Sequence, residues 1–131
     1  MPFEKTWKVY AGATDYSGRI YTPVVVDYIV RTLEELRETA GFPNERFANA
    51  DFIPPARHVD IEYLSGIKAG DYVHLTLDPN PGRSSITYAV RGEVDGTVVF
   101  KGSITTVCID KETEEPIAIP EEFRDGLRTL E

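Results

Sequence analysis

The chain has 131 residues, with 14 basic against 22 acidic side chains and a formal charge of −8. Its 41% apolar and 27% charged residues make one globular domain spanning 1–131 rather than a disordered chain. The charge argues against nucleic acid and anionic membrane surfaces as general partners, and no apolar run approaches the ~18 residues of a membrane span.

The opening MPFEKTWKVY has no leader-like apolar run, and Cys108 is the one cysteine. A cytoplasmic chain without an internal disulfide is therefore expected. From Thr6 to Ala13, Trp7, Val9 and Ala11 alternate as in a first strand. A loop, Thr14-Asp15-Tyr16-Ser17-Gly18, follows. Thr22-Pro23 then reads as an N-cap with proline at the first helical position, where a missing N–H does no harm. Val25, Tyr28, Ile29, Leu33, Leu36 and Ala40 recur at helical spacing, with Gly41 and Pro43 as stop signals. Val24, Val26 and Val30 fall outside that stripe, so this helix should be wrapped by other structure.

Residues 44–55 read as a loop. After them the period changes to two, in runs around Val59–Tyr63, Tyr72–Leu77, Ile86–Arg91 and Val98–Thr106. Asp95-Gly96 is a hairpin signal, and Ser65-Gly66, Gly70-Asp71 and Pro79-Asn80-Pro81-Gly82 punctuate the other joins. Residues 121–130 suit a short terminal helix. The expected order is strand, long helix, then four strands in meander, an α+β layout. One helix cannot cover both faces and both edges of such a sheet, so a homodimer pairing sheet edges or burying the open side is expected.

Several chemistries fail on residue pattern. His58, His74 and Cys108 lie on different predicted strands without ligand spacing, so no metal site is expected. Phosphate-binding glycine motifs are absent, and no G-x-S-x-G surrounds Ser17. No cofactor is implied. What remains is the loop before the helix. Asp15 precedes Thr22 by seven residues, and the N–H groups from Tyr21 onward should be free at the positive end of the helix dipole. A carboxylate beside free N–H donors can attack a carbonyl, or activate water against it, while the donors hold the developing oxyanion. On spacing alone, an Asx-turn or capping residue is the favoured reading of Asp15.

The stretch from Ala13 to Tyr21, ATDYSGRIY, resembles the T-D-x-x-G-x-v-Y signature of hotdog-fold acyl-CoA thioesterases of the 4-hydroxybenzoyl-CoA thioesterase type. The resemblance continues through VDIEYL at 59–64, GDYV at 70–73, GRSSI at 82–86, Asp95-Gly96, and Pro116 with Ile119-Pro120. It implies a hotdog fold, with a five-stranded antiparallel sheet around one long central helix, assembled as dimers or dimers of dimers with interfacial active sites. It also implies hydrolysis of an acyl-CoA, with Asp15 as nucleophile or general base and the Thr22 N–H polarising the carbonyl. Gly18 and Tyr21 would border the substrate, and Arg83, Ser84 and Ser85 could contact pantetheine or CoA phosphates. Arg57, Lys68 and Arg91 are weaker phosphate candidates.

The chain also departs from that pattern. Thr22-Pro23 stands where many members carry His or Asn after the tyrosine, removing one helix-start donor. Val30 and Leu33 replace a mid-helix E-x-x-R, with Asp27, Arg31, Glu34 and Glu35 out of register. These departures favour an alternative reading, a non-catalytic hotdog module that binds acyl-CoA or an acyl carrier. A dehydratase lacks its D-x-x-x-x-H signature here. His58 reads as a solvent-facing or satisfied histidine, Tyr16, Tyr28 and Tyr63 as packing residues, and Cys108 as a small buried residue. From Glu112 onward, seven acidic residues and two arginines concentrate the negative charge in a tail, leaving room for local basic contacts to one CoA.

Overall fold

Alternation and turn chemistry between them account for the sheet. The computed structural model, which describes residues 2–130, has β1 (Phe3–Lys8), α1 (Thr22–Thr39), α2 (Asn44–Ala48), β2 (Phe52–Ile53), β3 (Ala56–Tyr63), β4 (Tyr72–Pro81), β5 (Ser85–Val94), β6 (Thr97–Val107), β7 (Ile109–Asp110) and α3 (Glu121–Arg128). Five strands form one antiparallel sheet in the order β1-β4-β5-β6-β3. At the β5–β6 turn Asp95 and Gly96 both take positive φ, 51° and 79°, the geometry of a tight hairpin in register with right-handed strand twist.

α1 lies across one face of this sheet. Its Val25, Tyr28, Ile29, Leu33 and Leu36 are buried against Leu75 and Leu77 of β4, Ile86 and Tyr88 of β5, and Phe100 and Ile104 of β6. Each such side chain contributes roughly 1.5–3 kcal/mol of transfer free energy. Trp7 fastens the β1 edge to the helix, stacking on Tyr28 at 5.0 Å and donating its indole N–H to Thr32 Oγ1 at 2.9 Å. The helix stops where expected. Gly41 adopts φ 91° and the Phe42 N–H returns to the Arg37 carbonyl at 2.7 Å, a Schellman closure.

Five expectations need correction. The first strand is Phe3–Lys8 rather than Thr6–Ala13, because its partner β4 begins at Tyr72 opposite Lys8, and beyond Val9 there is no ladder to continue. The later strands are not a simple meander. Only β4, β5 and β6 follow one another, while β3 lies on the far edge beside β6. β4 runs through Pro79 and Pro81, because β1 pairs with it only as far as Leu77 and leaves a free side where a missing N–H is harmless. Residues 44–55 are not all loop. Phe47 and Phe52 join Phe42 and Phe123 of α3 in an aromatic cluster with centroids 4.9–6.2 Å apart, which orders α2 and β2. Finally, α1 is not wrapped on every side, since Val30 is 46% exposed and Val24 and Val26 are half-buried.

On its other side α1 is bonded to β3 and to the link that precedes it. Tyr63 Oη of β3 donates to the Thr22 carbonyl at 2.6 Å, and Arg37 Nη2 donates to the carbonyl of Pro54, in the link between β2 and β3, at 3.1 Å. Val59 and Tyr63 of β3, each 41% exposed, share the helix-facing side of the sheet with Ile104 and Phe100, their ladder partners. An edge strand with unpaired backbone and apolar side chains open to solvent is the part of this sheet that one chain leaves unfinished. No helix among the described residues is long and apolar enough to cross a membrane.

Candidate active site

The segment leading into α1 is a small hairpin. The Tyr21 N–H donates to the Ala13 carbonyl at 2.8 Å, Thr14 bridges Ile20, and the Asp15 N–H donates to the Arg19 carbonyl at 2.9 Å. The tip closes through the Gly18 N–H on the Asp15 carbonyl at 3.0 Å, with Gly18 at φ 74°, a conformation glycine adopts without cost. The hairpin is held from beneath by Ile20, which donates to the Ile67 carbonyl at 2.7 Å, and by an Arg19–Lys68 bridge. Asp15 therefore stands at the tip and the α1 N-terminus at the base.

Asp15 makes an Asx turn. Its Oδ1 accepts the Ser17 N–H at 2.9 Å and the Ser17 hydroxyl at 2.6 Å. These two bonds, with Arg19 adding a smaller attraction, hold the carboxyl below its ordinary value and keep it ionised. The turn reading and the charged-group reading are therefore compatible, because Oδ2 is not used by Ser17.

The helix start differs in detail from the sequence expectation. Tyr21 is the N-cap and Thr22 the first helical residue, with no side-chain cap. The Tyr21 N–H is not free, since Ala13 takes it, and Pro23 has none to offer. Among the described residues no carbonyl or side chain accepts the Thr22 N–H, so it is the donor that α1 presents here. Tyr21 is exposed beside it.

The chain brings Asp15, Gly18, Tyr21 and Thr22 together but not Arg83, Ser84 and Ser85. Arg83 and Ser84 lie in the β4–β5 turn and Ser85 opens β5, whereas Lys68 and Asp71 of the Asp15 region precede the other end of β4. The ten residues of that strand span about 30 Å at ~3.3 Å each. The Ser84 and Arg83 carbonyls are occupied by the N–H groups of Cys108 and Ile119, and Arg124 of α3 reaches the Gly82 carbonyl, so this turn is docked on the C-terminal segment. Arg57 opens β3, and Arg91 is paired with Glu93 at 3.0 Å on the sheet face turned away from α1. That face carries a cleft of about 530 Å³ lined by Thr76, Asp78, Arg91 and Lys101, and none of the hairpin residues borders it.

Two residues matter more than the sequence suggested. Arg19 sits across the hairpin from Asp15, and Tyr63 bonds the helix start; the alternation around Tyr63 gave only packing. Tyr16 is not a packing residue but is fully exposed, whereas Tyr28 and Cys108 are buried. Burial pushes the Cys108 thiol up to about 11, which leaves it protonated and unsuited to nucleophilic work at neutral pH. No three His, Cys, Asp or Glu groups are placed to hold a metal ion among the described residues.

Sheet order, helix placement and the hairpin that enters the helix define a hotdog domain. The chain belongs to the thioesterase-like superfamily, whose family model matches residues 9–127. No curated protein matches it by sequence. Among solved structures it is similar to Slr0204, a 1,4-dihydroxy-2-naphthoyl-CoA thioesterase from Synechocystis, with TM-score 0.91 and 16% identity over 99% of this chain and 98% of that one. SAV2348 from Staphylococcus aureus, solved in complex with CoA, gives TM-score 0.91 and 16% identity over 98% of this chain and 83% of that one. BH1999, a gentisyl-coenzyme A thioesterase, gives 0.83 and 16% over 95% and 98%.

Proposed function

We propose that the chain hydrolyses acyl-CoA thioesters. The observation that carries this reading is one hairpin with an ionised Asp15 at its tip and the unoccupied Thr22 N–H just past its base, three ladder steps or about 10 Å of backbone apart. A thioester carbonyl oriented on Thr22 would present its carbon toward Asp15, and the N–H and helix dipole would hold the oxyanion. In one course an Asp15 oxygen attacks that carbon and the C–S bond breaks. The CoA thiolate then leaves, and water cleaves the resulting anhydride. In the other course Asp15 takes a proton from the water that attacks. Both yield a carboxylic acid and CoA. Family membership and the CoA-bound neighbour support CoA as the carrier.

The reading includes a homodimer, with or without further pairing of dimers. In one chain the hairpin is open to solvent, and Arg83–Ser85 lie at the far end of the sheet. A two-fold axis that pairs β3 with β3 in antiparallel fashion would set the Ala56 end of one copy beside the Tyr63 end of the other. It would extend the sheet and cover Val59 and Tyr63. The Ser84 end, which joins the Ala56 end through Cys108 and Val107, would then approach the hairpin of the other copy. No nucleic acid, metal or cofactor enters this scheme.

Incubating the purified chain with acyl- and aryl-CoAs of graded size should release free CoA thiol, and its mass in solution should be that of a dimer or tetramer. Tight binding across the panel without thiol release would instead favour the non-catalytic module, the reading that Pro23 supports. The Ser17 bonds give a second test. Protonating Asp15 at low pH should stop turnover, and wild type should stay active as pH falls through the ordinary 3.8 because its carboxyl is held lower. Ser17→Ala removes the hydroxyl bond, so the acid limb of kcat should move to higher pH. An unmoved limb would detach Asp15 from the rate.

A further inference from the structure

The Thr22 N–H stands alone at the helix start. Its neighbour toward the N-terminus is committed to Ala13 and its neighbour toward the C-terminus is proline, so neither flanking residue offers a second backbone donor to the carbonyl oxygen. When one donor carries the load, its direction matters more than when two converge, and a misplacement of ~1 Å can cost about 10²-fold in rate.

The peptide that bears this N–H is held between two anchored peptides. On one side the Tyr21 N–H is fixed on the Ala13 carbonyl at 2.8 Å. On the other, the Thr22 carbonyl accepts the phenol of Tyr63 at 2.6 Å. Tyr63 is itself held by the backbone. It closes β3 in register with Phe100, and the next N–H, Leu64, donates to the Val99 carbonyl at 2.9 Å. The bond does not follow from core packing, because the residue lies on the uncovered edge strand and is 41% exposed. Partial burial also pushes the phenol's pKa up, which keeps the proton it donates.

We infer that Tyr63 is a positioning residue, which fixes the direction of the Thr22 N–H by clamping the Thr22 carbonyl to the edge strand. This rests on the reading of Thr22 as the oxyanion donor. It also makes the donor's geometry depend on the strand that the proposed dimer pairs, so that assembly and donor alignment are set by one element.

Tyr63→Phe keeps the ring and removes only the hydroxyl. With an acyl-CoA turned over by wild type, kcat should fall by about tenfold with KM changed less than about twofold, the pattern of an interaction felt in the transition state. Melting temperature and far-UV dichroism should stay at wild-type values. Asp15→Asn is measured alongside. If Asp15→Asn is dead while Tyr63→Phe keeps full kcat, the positioning role is overturned and the site reading stands. If both keep full kcat, the site reading falls and takes this inference with it. A raised KM at unchanged kcat would make Tyr63 a substrate contact. A kcat loss that only tracks a lowered melting temperature would make it structural. Either result overturns the inference.

Discussion

Asp15→Ala is expected to lower kcat for acyl-CoA hydrolysis by roughly 10²–10⁴-fold while the chain stays folded. The fold should survive because the Asp15 side chain bonds only Ser17, on a hairpin open to solvent, and substitutions at such places usually move stability by about 0.5 kcal/mol. Alanine, however, removes both the charge and the Asx turn, so its loss of rate alone would not separate the two. Asp15→Asn does. An asparagine Oδ1 accepts the Ser17 N–H and hydroxyl as the aspartate does, which preserves the turn and the approach to α1. It has no anionic oxygen to attack a thioester or take a proton from water. Equal inactivity of the two variants, with unchanged melting temperature, is the expected result. If Asp15→Asn retains wild-type turnover, the carboxylate serves the turn only and the proposed chemistry is wrong. Single-turnover measurement of acid and thiol release makes the comparison independent of product release.

Much of this was legible one element at a time. The period-two runs gave the strands of the sheet to within a few residues. Asp95-Gly96 gave its hairpin, and Gly41 gave the end of α1, since each signal acts through local backbone geometry. Order in space was less legible. Nothing local to Val59 or Ile61 states that β3 lies beside β6 rather than β4, because strand neighbours are chosen by the whole sheet's packing on α1. The small helix at 44–48 escaped notice for a related reason, since the cluster that orders Phe47 and the nearby Phe52 is completed by Phe123, far along the chain. In the site, Asp15 and Thr22 could be paired from the motif and its spacing. That Tyr21 spends its N–H on Ala13 could not, because a ladder bond between residues eight apart leaves no compositional trace. Arg83–Ser85 matched a motif yet sit at the other end of the sheet from the hairpin, a separation that motif spacing along the chain does not encode.

Gly102→Ala is expected to be among the most destabilising single substitutions, by about 3 kcal/mol or more, which for a domain of this size lowers Tm by roughly 10 °C. Gly102 lies in β6 opposite Ile61 of β3 and Val90 of β5. A β-carbon built there would run into the Asp60 carbonyl and crowd the Ile61 backbone. Those atoms belong to a paired strand and not to a flexible side chain, so relief requires β3 to move away from β6. That movement weakens the ladder between Val59–Ile104 and Tyr63–Phe100 and draws the Tyr63 phenol from the Thr22 carbonyl. Stability, strand-edge assembly and kcat should therefore fall together. Gly12→Ala is the control, since open space surrounds Gly12 and its backbone angle is ordinary; it should stay within about 0.5 kcal/mol of wild type. Chemical denaturation of the three proteins at one concentration, with sedimentation to read the assembly, makes the comparison. Gly102→Ala with wild-type stability and mass would mean that β3 shifts freely against β6, and an edge strand that loose could not hold Tyr63 or pair with a second copy.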